Sequence, residues 1–326
     1  MAVLVTGGAG FIGSHMALAL LDRGEEVVVL DSFATGVRAC VPAGVRLIKG
    51  DVGDRALVAD VLREQRIDSI AHFAGSTVVP DSVSDPLAYY KNNTANTVAL
   101  AECALAADVG AFLFSSTAAV YGATQEDLVR EDAPLTPVSP YGASKLMSER
   151  ILLDTNAATK LPVAILRYFN VAGADPQGRS GQSTPRATHL IKICIEAALG
   201  LRESVHIFGE DYPTPDGTGV RDYIHVSDLI AAHLAALDRL RSRSAALIYN
   251  CGYGRGYSVR EVVSAVERVS GKTLNVIVAP RRSGDTARVI ADASAIRKDL
   301  GWTPRYDDLD AIITHALAWE RSRLNA

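Results

Sequence analysis

Residues 3–15 read VLVTGGAGFIGSH. A run of apolar residues typical of a buried strand, Ala2–Thr6, leads through the glycine-rich turn GGAG into an apolar helix, Phe11–Asp22. Glycines in such a turn let backbone N–H groups approach a pyrophosphate, and the N-terminus of the helix adds a partial positive charge. The stretch has the GxGxxG spacing between a strand and a helix, which is the context that the motif requires. It therefore predicts a dinucleotide-binding loop.

An acidic residue at the end of the second strand extends this prediction. Asp31 ends the run VVVLD, and its carboxylate can accept hydrogen bonds from both hydroxyls of an adenosine ribose while repelling a 2′-phosphate. The nearest following cation, Arg38, is seven positions further on. These features favour NAD over NADP. Asp51, at the end of GVRLIKGD, is placed to reach the adenine from the third strand.

The first half of the chain alternates short apolar runs with helical stretches, the longest of which is predicted at Pro86–Ala107. This alternation predicts an α/β protein with a doubly wound parallel sheet of the Rossmann type. After Asn170 a segment rich in Gly, Pro, Ser and Asp begins, so we predict a dinucleotide-binding domain at 1–170 and a smaller α/β substrate domain at 171–326. Segments near 223–236 and 246–251 are expected to return to the first domain.

Composition excludes several classes of protein. The 326 residues are 48% hydrophobic and 21% charged, with a formal net charge of −4, so a nucleic-acid partner is not expected. No apolar stretch is long enough for a membrane span. The seven histidines and four cysteines show no metal-ligand spacing, so no metal is expected. Four scattered cysteines and the missing signal-peptide pattern predict free thiols in the cytoplasm.

A second group of residues suggests acid–base chemistry. Tyr141 and Lys145, in SPYGASK, are four positions apart and therefore share one face of a helix. A phenol has a pKa of ~10, but a lysine and an oxidised nicotinamide together could lower it to ~6–7, where a general base works best. Thr117, at the end of the strand in FLFSSTAAVYG, offers a hydroxyl at the same rim. We interpret these three residues as catalytic.

Another glycine-rich stretch, Cys251–Gly256, also follows a predicted strand. It lacks the third glycine inside the following helix and an acid-ended strand. We interpret it as a structural turn.

The motifs TGGAGFIGSH, HFAGS, SSTAAVYG, SPYGASK, RYFNVAG, DGTGVRDYIHV and APRRSGD occur in order along the chain. Together they resemble the UDP-glucose 4-epimerases, a family within the extended short-chain dehydrogenases/reductases. The resemblance implies tightly held NAD, a UDP-sugar substrate and a homodimer. It implies reversible inversion at C4 of UDP-glucose and UDP-galactose through a transient 4-keto sugar, with Tyr141 taking the proton from O4.

The resemblance also implies which residues hold each ligand. The NAD site would include Gly7, Gly10, Phe11, Ile12, Asp31, Asp51, Val52, Phe73, Ala74, Gly75, Asn92, Ser115, Tyr141, Lys145 and Tyr168. The UDP-sugar site would include Thr117, Asn170, Leu190, Phe208, Arg221, Arg282 and Asp285. The two arginines have independent support, because a diphosphate needs charge-assisted donors.

Other substrates and reactions stay open at this point. Val289 stands where some members of the family have a bulky tyrosine, so the pocket could admit the 2-acetamido group of UDP-N-acetylglucosamine. Arg179 or Arg186 could pair with the carboxylate of UDP-glucuronate. Thr117 is followed by Ala118 and Ala119, and no acid is available there for dehydration. A sugar-nucleotide dehydrogenase and a non-catalytic NAD-binding regulator remain less favoured alternatives.

Overall fold

A computed structural model describes residues 2–124, 126–184, 187–242, 245–282 and 284–324. Its strands, in chain order, are β1 (Ala2–Thr6), β2 (Glu26–Asp31), β3 (Arg46–Lys49), β4 (Ile67–His72), β5 (Ala111–Thr117), β6 (Val163–Tyr168), β7 (Asn170–Ala172), β8 (Val205–Phe208), β9 (Val220–His225), β10 (Leu247–Cys251), β11 (Gly256–Ser258), β12 (Val276–Ala279) and β13 (Arg288–Val289). Its helices are α1 (Phe11–Asp22), α2 (Arg55–Glu64), α3 (Val79–Ser84), α4 (Pro86–Tyr89), α5 (Asn96–Ala106), α6 (Pro140–Thr159), α7 (Leu190–Ala198), α8 (Val226–Leu240), α9 (Val259–Ser270), α10 (Ser294–Leu300) and α11 (Leu309–Leu324).

Seven parallel strands form the main sheet, in the order β3-β2-β1-β4-β5-β6-β10. The order reverses between β1 and β4, where the crevice at the carboxyl ends of the strands binds ligands in folds of this kind. The predicted α/β class with a doubly wound parallel sheet is confirmed.

Both faces of the sheet are covered, as the alternation of side chains along β1 illustrates. Val3 and Val5 pack into one apolar core with α1 and α8, whereas Leu4 packs into the other core with α2 and α5. Because every residue of β1 is buried, its sequence is a continuous apolar run. The sheet thus holds the glycine-rich turn that follows β1 in a fixed position.

Two smaller sheets lie in the second half of the chain. In one of them β9 pairs with β7, β11 and β13, and in the other β8 pairs in parallel with β12. Meanwhile β10 lies beside β6 in the main sheet, and α8 packs against β5 and β6. The proposed division of the chain near residue 170 stays a prediction.

The helix predicted at Pro86–Ala107 is not continuous. Its middle, Tyr90–Ala95, is a turn of π-helix between α4 and α5. There the buried Asn93 amide bonds outside the helix, accepting from the Ser76 N–H at 2.8 Å and donating to Ser144 Oγ at 3.0 Å. Such turns occur often at functional sites. The apolar periodicity of the sequence does not reveal this interruption, because it comes from polar contacts made across the fold.

None of the helices in the described part of the chain is long and apolar enough to cross a bilayer.

Candidate active site

The glycines of the turn after β1 are required by close approaches of the backbone. Gly7 has φ +70°, and a Cβ atom there would lie 2.6 Å from the backbone nitrogen of Ala74. A Cβ at Gly13 would collide with the carbonyl oxygen of Gly7. Helix α1 begins at Phe11 with Gly10 as N-cap and no side-chain cap, so its first N–H groups are free for an anion.

Asp31 is held by the main chain at the end of β2. Its two carboxylate oxygens accept hydrogen bonds from the Ala9 and Phe33 N–H groups, at 2.9 and 2.8 Å, and it is 7% exposed. A cavity of about 460 Å³ adjoins it, lined by Phe33, Gly36, Val37, Arg38 and Lys49. The carboxylate is thus oriented before any nucleotide binds. Lys49 is a second cation, besides Arg38, that lines this cavity. It is far from Asp31 in the sequence, so only the fold shows that the two are close.

Asp51 and Val52 follow β3 and differ in exposure. The exposed Asp51 accepts hydrogen bonds from the Gly53 N–H at 2.7 Å and from Asn96 Nδ2 at 3.1 Å, whereas Val52 is buried. Ile12, in the first turn of α1, is half-buried.

The loop after β4 lies against the glycine-rich turn and reaches Lys145 on α6. The half-buried residues Phe73, Ala74 and Gly75 form this loop. Ala74 touches Gly7, and a Cβ at Gly75 would lie 3.6 Å from Lys145 Nζ. Asn92 on the π-turn donates to Ser76 Oγ at 2.9 Å. The structure therefore brings together predicted cofactor residues from four separate stretches of sequence.

Tyr141 and Lys145 lie on the first turns of α6, which begins with Pro140 and has the Ser139 side chain as its cap. Both are buried, at 6% and 3% exposure. The Thr117 side chain, at the end of β5, is close enough to the Tyr141 hydroxyl to act on its pKa. The predicted catalytic group is therefore assembled from one helix and one strand end.

Burial sets the ionisation of both residues of this pair. Burial raises the pKa of Tyr141 to about 12, although the neighbouring Thr117 side chain acts in the opposite direction. Burial likewise lowers the pKa of Lys145 to about 8. The lysine ammonium donates to the Ser115 carbonyl at 2.9 Å and lies 4.8 Å from the Phe114 ring centroid. The lysine alone does not bring the phenol near neutrality, since desolvation dominates.

Two further predicted residues complete the rim of the sheet. Ser115 Oγ and the Tyr168 hydroxyl are 2.6 Å apart and join the ends of β5 and β6.

Tyr89 packs edge-on against Tyr141, with ring centroids 6.4 Å apart. Tyr89 and Asn93 are site residues that the sequence reading missed; the only signal was the run of polar residues Asn92-Asn93-Thr94 inside an apolar helix pattern.

The predicted nucleotide residues form a cluster rich in arginine. Arg282 lies over the Phe208 ring, 4.6 Å from its centroid, and its Nε donates to Asp285 Oδ2 at 2.8 Å. Arg221 is half-buried on β9, and its Nη1 donates to the Val220 carbonyl at 2.8 Å. Burial lowers the pKa of Arg221, and no described carboxylate is paired with it. This cluster can bind an anion next to an aromatic face.

Three predicted sugar-site residues lie on elements of the second half. Asn170 begins β7, which pairs with β9, and Leu190 begins α7. Val289 on β13 is opposite Arg221 in the strand register and packs against the small apolar cluster that includes Ala118. Val289 and Ala118, which follows Thr117, pack against the same small apolar cluster.

The guanidinium of Arg179, one of the two arginines considered for the carboxylate of UDP-glucuronate, is paired with acidic residues of the protein, and its contact with a sugar stays a prediction. Arg179 makes paired hydrogen bonds of 2.8–3.1 Å with the carboxylates of Asp175 and Asp22. Asp22 is the last residue of α1. At a rise of 1.5 Å per residue, it lies about 18 Å along the helix from the glycine-rich turn. Charge pairing with two acids holds the arginine there. Arg186 lies outside the described residues.

The glycine-rich stretch Cys251–Gly256 makes internal contacts. The N–H groups of Tyr253 and Gly254 donate to the buried carboxylate of Asp222, at 3.0 and 2.9 Å. Both N–H groups are therefore already hydrogen-bonded within the protein.

Among the described residues, no group of three His, Cys, Asp or Glu side chains is placed to hold a metal ion.

Comparisons with known proteins agree with this geometry. A sequence model described as the NAD dependent epimerase/dehydratase family matches residues 3–252. The chain is 56% identical to a UDP-glucose 4-epimerase from Azospirillum brasilense, over 98% of this chain and 92% of that protein.

Solved structures are similar over the whole chain. A UDP-glucose 4-epimerase from Bifidobacterium longum in complex with NAD+ and UDP has a TM-score of 0.95 and 38% identity, covering 100% of this chain and 99% of that one. A UDP-Glc/GlcNAc 4-epimerase from Campylobacter jejuni has a TM-score of 0.86 and 45% identity, covering 98% and 99%.

Proposed function

The chain belongs to the NAD dependent epimerase/dehydratase family, and from that premise we propose which side chains carry its reaction and which sugar it prefers. The enzyme is an isomerase that uses NAD to invert C4 of a UDP-hexose. The resemblance read from the motifs is confirmed by full-length relatives with this name. The assignments of individual residues that follow are proposals.

One observation carries the proposed chemistry. Tyr141 is buried, next to the Thr117 side chain, and one helical turn from Lys145, whose ammonium is fixed at the strand end by the Ser115 carbonyl. A phenol shielded from water beside a hydroxyl and a cation is suited to exchange one proton with a sugar hydroxyl. In this proposal Tyr141 takes the proton from O4, and Thr117 shares the hydrogen bond.

The residues present fit NAD. Gly7 and Gly13 permit the close backbone approaches that form the tight turn before α1, and the uncapped N-terminus of α1 suits a pyrophosphate. The oriented carboxylate of Asp31 suits the ribose hydroxyls. When bound, NAD supplies a hydride acceptor and a positive charge. We assign the ribose to Asp31 and the nicotinamide side to Tyr141, Lys145, Ser115 and Tyr168.

The electrostatics of the pair explain why the phenol needs a further cation. Burial keeps the Tyr141 proton on the oxygen at neutral pH, with a pKa of about 12. Lys145 retains its charge at pH 7, since its pKa stays near 8, and its hydrogen bond to the Ser115 carbonyl keeps that charge at the rim. Another positive charge at the same rim would favour the phenolate, and Tyr141 would then become a base.

Inversion at C4 requires that the 4-keto sugar present its opposite face before hydride returns. The nucleotide must therefore be held firmly and the hexose loosely. We assign the nucleotide to Phe208, Arg221, Arg282 and Asp285, because that cluster offers two guanidinium groups and an aromatic face. Asn170, Leu190 and Val289 would line the sugar region.

The preferred sugar is proposed to be UDP-glucose and UDP-galactose. Val289 is small and lies next to the apolar cluster near Thr117, and this supports UDP-N-acetylglucosamine as a second substrate. The pairing of Arg179 with Asp22 and Asp175 removes one argument for UDP-glucuronate. Measured kcat/KM values for the three nucleotide sugars would rank them; a leading value for UDP-glucuronate would overturn the proposal.

Epimerisation is distinguished from net oxidation by the fate of reducing equivalents. The holoenzyme incubated with UDP-glucose should form UDP-galactose without free NADH. Stoichiometric free NADH would identify a dehydrogenase, and no turnover would favour an NAD-binding regulator.

A homodimer is also proposed. It is supported by apolar side chains that are exposed on α3, α4 and α6, namely Val83, Leu87 at 77% exposure and Met147. Sedimentation of the holoenzyme would test this, since a monomer at micromolar concentration would contradict it.

A cytoplasmic location is proposed as well, supported by the four free cysteine thiols.

A further inference from the structure

One buried hydroxyl next to the arginine cluster has no hydrogen-bond partner. Tyr212 is 6% exposed, and its hydroxyl oxygen is inaccessible to solvent and without a partner among the described residues. A buried hydroxyl in that condition is costly, because it gives up its bonds to water without replacing them. The group therefore calls for an explanation.

The position of the Tyr212 ring is fixed on two sides. Gly209, at φ +86°, lies beneath it so closely that a Cβ atom would be 2.8 Å from Tyr212 Cε2. The Arg281 guanidinium covers the ring at 4.0 Å from its centroid and is held by Asp211, with Nε 2.6 Å from Oδ1. Because the ring is packed so closely, the hydroxyl can gain a partner only if a neighbouring group moves to it.

Three of the residues assigned to the nucleotide, Arg221, Arg282 and Asp285, are close enough to Tyr212 for their charges to act on its phenol. Arg281 lies over Tyr212 while the next residue, Arg282, lies over Phe208, and the hydrogen bond from the Gly209 N–H to the Ala279 carbonyl holds the two segments together. The charges of Arg221, Arg281 and Arg282 all act on the phenol, against burial and Asp285, which raise its pKa. Tyr212 is thus a neutral phenol inside the cluster.

Arg221 has the complementary requirement. A guanidinium has five N–H donors, and only one hydrogen bond, to the Val220 carbonyl, is recorded for Arg221 within the described part of the chain. An unsatisfied acceptor and an incompletely used donor therefore belong to the same cluster.

We propose that Tyr212 is a positioning residue for diphosphate binding, whose phenol oxygen accepts a hydrogen bond from Arg221 when the nucleotide binds and so orients that guanidinium toward the diphosphate. This inference rests on the proposed function, in which Arg221 contacts the diphosphate of the UDP-sugar. It adds a residue that does not itself touch the substrate.

The test is Tyr212→Phe, which removes the hydroxyl and leaves the packed ring. In the NAD-containing enzyme, the Kd for UDP should rise roughly 3- to 10-fold, the effect of one ordinary hydrogen bond. The Kd for uridine, measured by competition, should stay unchanged. The KM for UDP-glucose should rise while kcat stays constant, and the Tm without nucleotide should be unchanged or higher.

Tyr121→Phe is the matched control. Tyr121 is also a buried tyrosine under an arginine, with Arg167 5.1 Å from the ring centroid, but its hydroxyl is already bonded to Asn250 and Arg167. That variant should lower the Tm and leave UDP binding unchanged.

Two results would overturn the inference: an unchanged Kd for UDP in Tyr212→Phe, whether or not the Tm falls as in the control, or an equal loss of affinity for uridine. If the wild-type enzyme does not bind UDP, the proposed function fails first and the inference fails with it. The two failures are therefore distinguishable.

Discussion

The Nζ atom of Lys145 donates a hydrogen bond to the main-chain carbonyl of Ser115 at 2.9 Å. This bond joins the catalytic helix α6 to the end of β5, two residues before Thr117. The lysine ammonium is therefore held at a fixed point at the rim of the sheet, while Lys145 and the phenol of Tyr141 are one turn apart on the same helix.

Replacing Tyr141 by Phe should lower kcat by at least about 10²-fold, the smaller contribution of a general base. The phenyl ring fills the same space, so the NAD content of the purified enzyme should be unchanged. Steady-state turnover of UDP-galactose and the bound nucleotide would both be measured. Wild-type kcat in this variant would remove Tyr141 from its proposed role.

The ionisation of Tyr141 should depend on NAD. In NAD-free protein its folded pKa of about 12 lies above the usual value near 10, so the buried neutral phenol stabilises the fold below pH 10. That stability should be lost as pH rises from about 10 through 12. The tyrosinate absorbance of wild type minus Tyr141→Phe should show no titration below pH 10 without NAD. With NAD bound the midpoint should fall, and an unchanged midpoint would contradict the need for a second cation.

Replacing Asp31 by Asn should weaken NAD binding by at least about tenfold, the effect of a hydrogen bond to a charged group. The carboxylate both orients the loop through Ala9 and is proposed to accept from the ribose. Fluorescence titration of the NAD-stripped enzyme would measure this loss. The exposed Asp51→Asn is the control and should change NAD affinity less; equal losses would contradict the special role of Asp31.

Replacing Arg167 by Met should destabilise the protein by about 3–5 kcal/mol, because the buried Glu149 would lose its charged partner. Arg167 Nη2 lies 2.7 Å from Glu149 Oε2, and both side chains are at most 3% exposed. Urea unfolding would measure the change. The exposed pair of Arg55 with Glu102 provides the control, since Arg55→Met should cost less than about 1 kcal/mol.

Replacing Arg179 by Ala should leave the ranking of the three UDP-sugars unchanged. Its guanidinium is paired with Asp22 and Asp175, away from the predicted sugar region. The Tm should fall by a few degrees, since the segment that contains it loses its attachment to α1. Competition assays would compare the sugars, and a selective loss of UDP-glucuronate turnover would restore Arg179 as a specificity residue.

The parallel sheet and the cofactor loop were predictable from the sequence because local rules govern them. The continuous apolar run of β1 is typical of a strand that is buried on both faces, and the glycines after it satisfy a backbone requirement that other residues meet only with strain. The spacing of Tyr141 and Lys145 implied a shared face because a helix repeats every 3.6 residues.

Tertiary structure alone decided which charges meet. The pKa of Tyr141 follows from burial and from the neighbouring Thr117 side chain, neither of which has a local pattern. Asp22 lies 157 positions before Arg179, so their pairing could not be read from spacing. The unpartnered hydroxyl of Tyr212 is likewise a consequence of packing. Periodicity and turn chemistry act between neighbours in sequence, whereas desolvation and charge pairing depend on which distant segments the fold brings into contact.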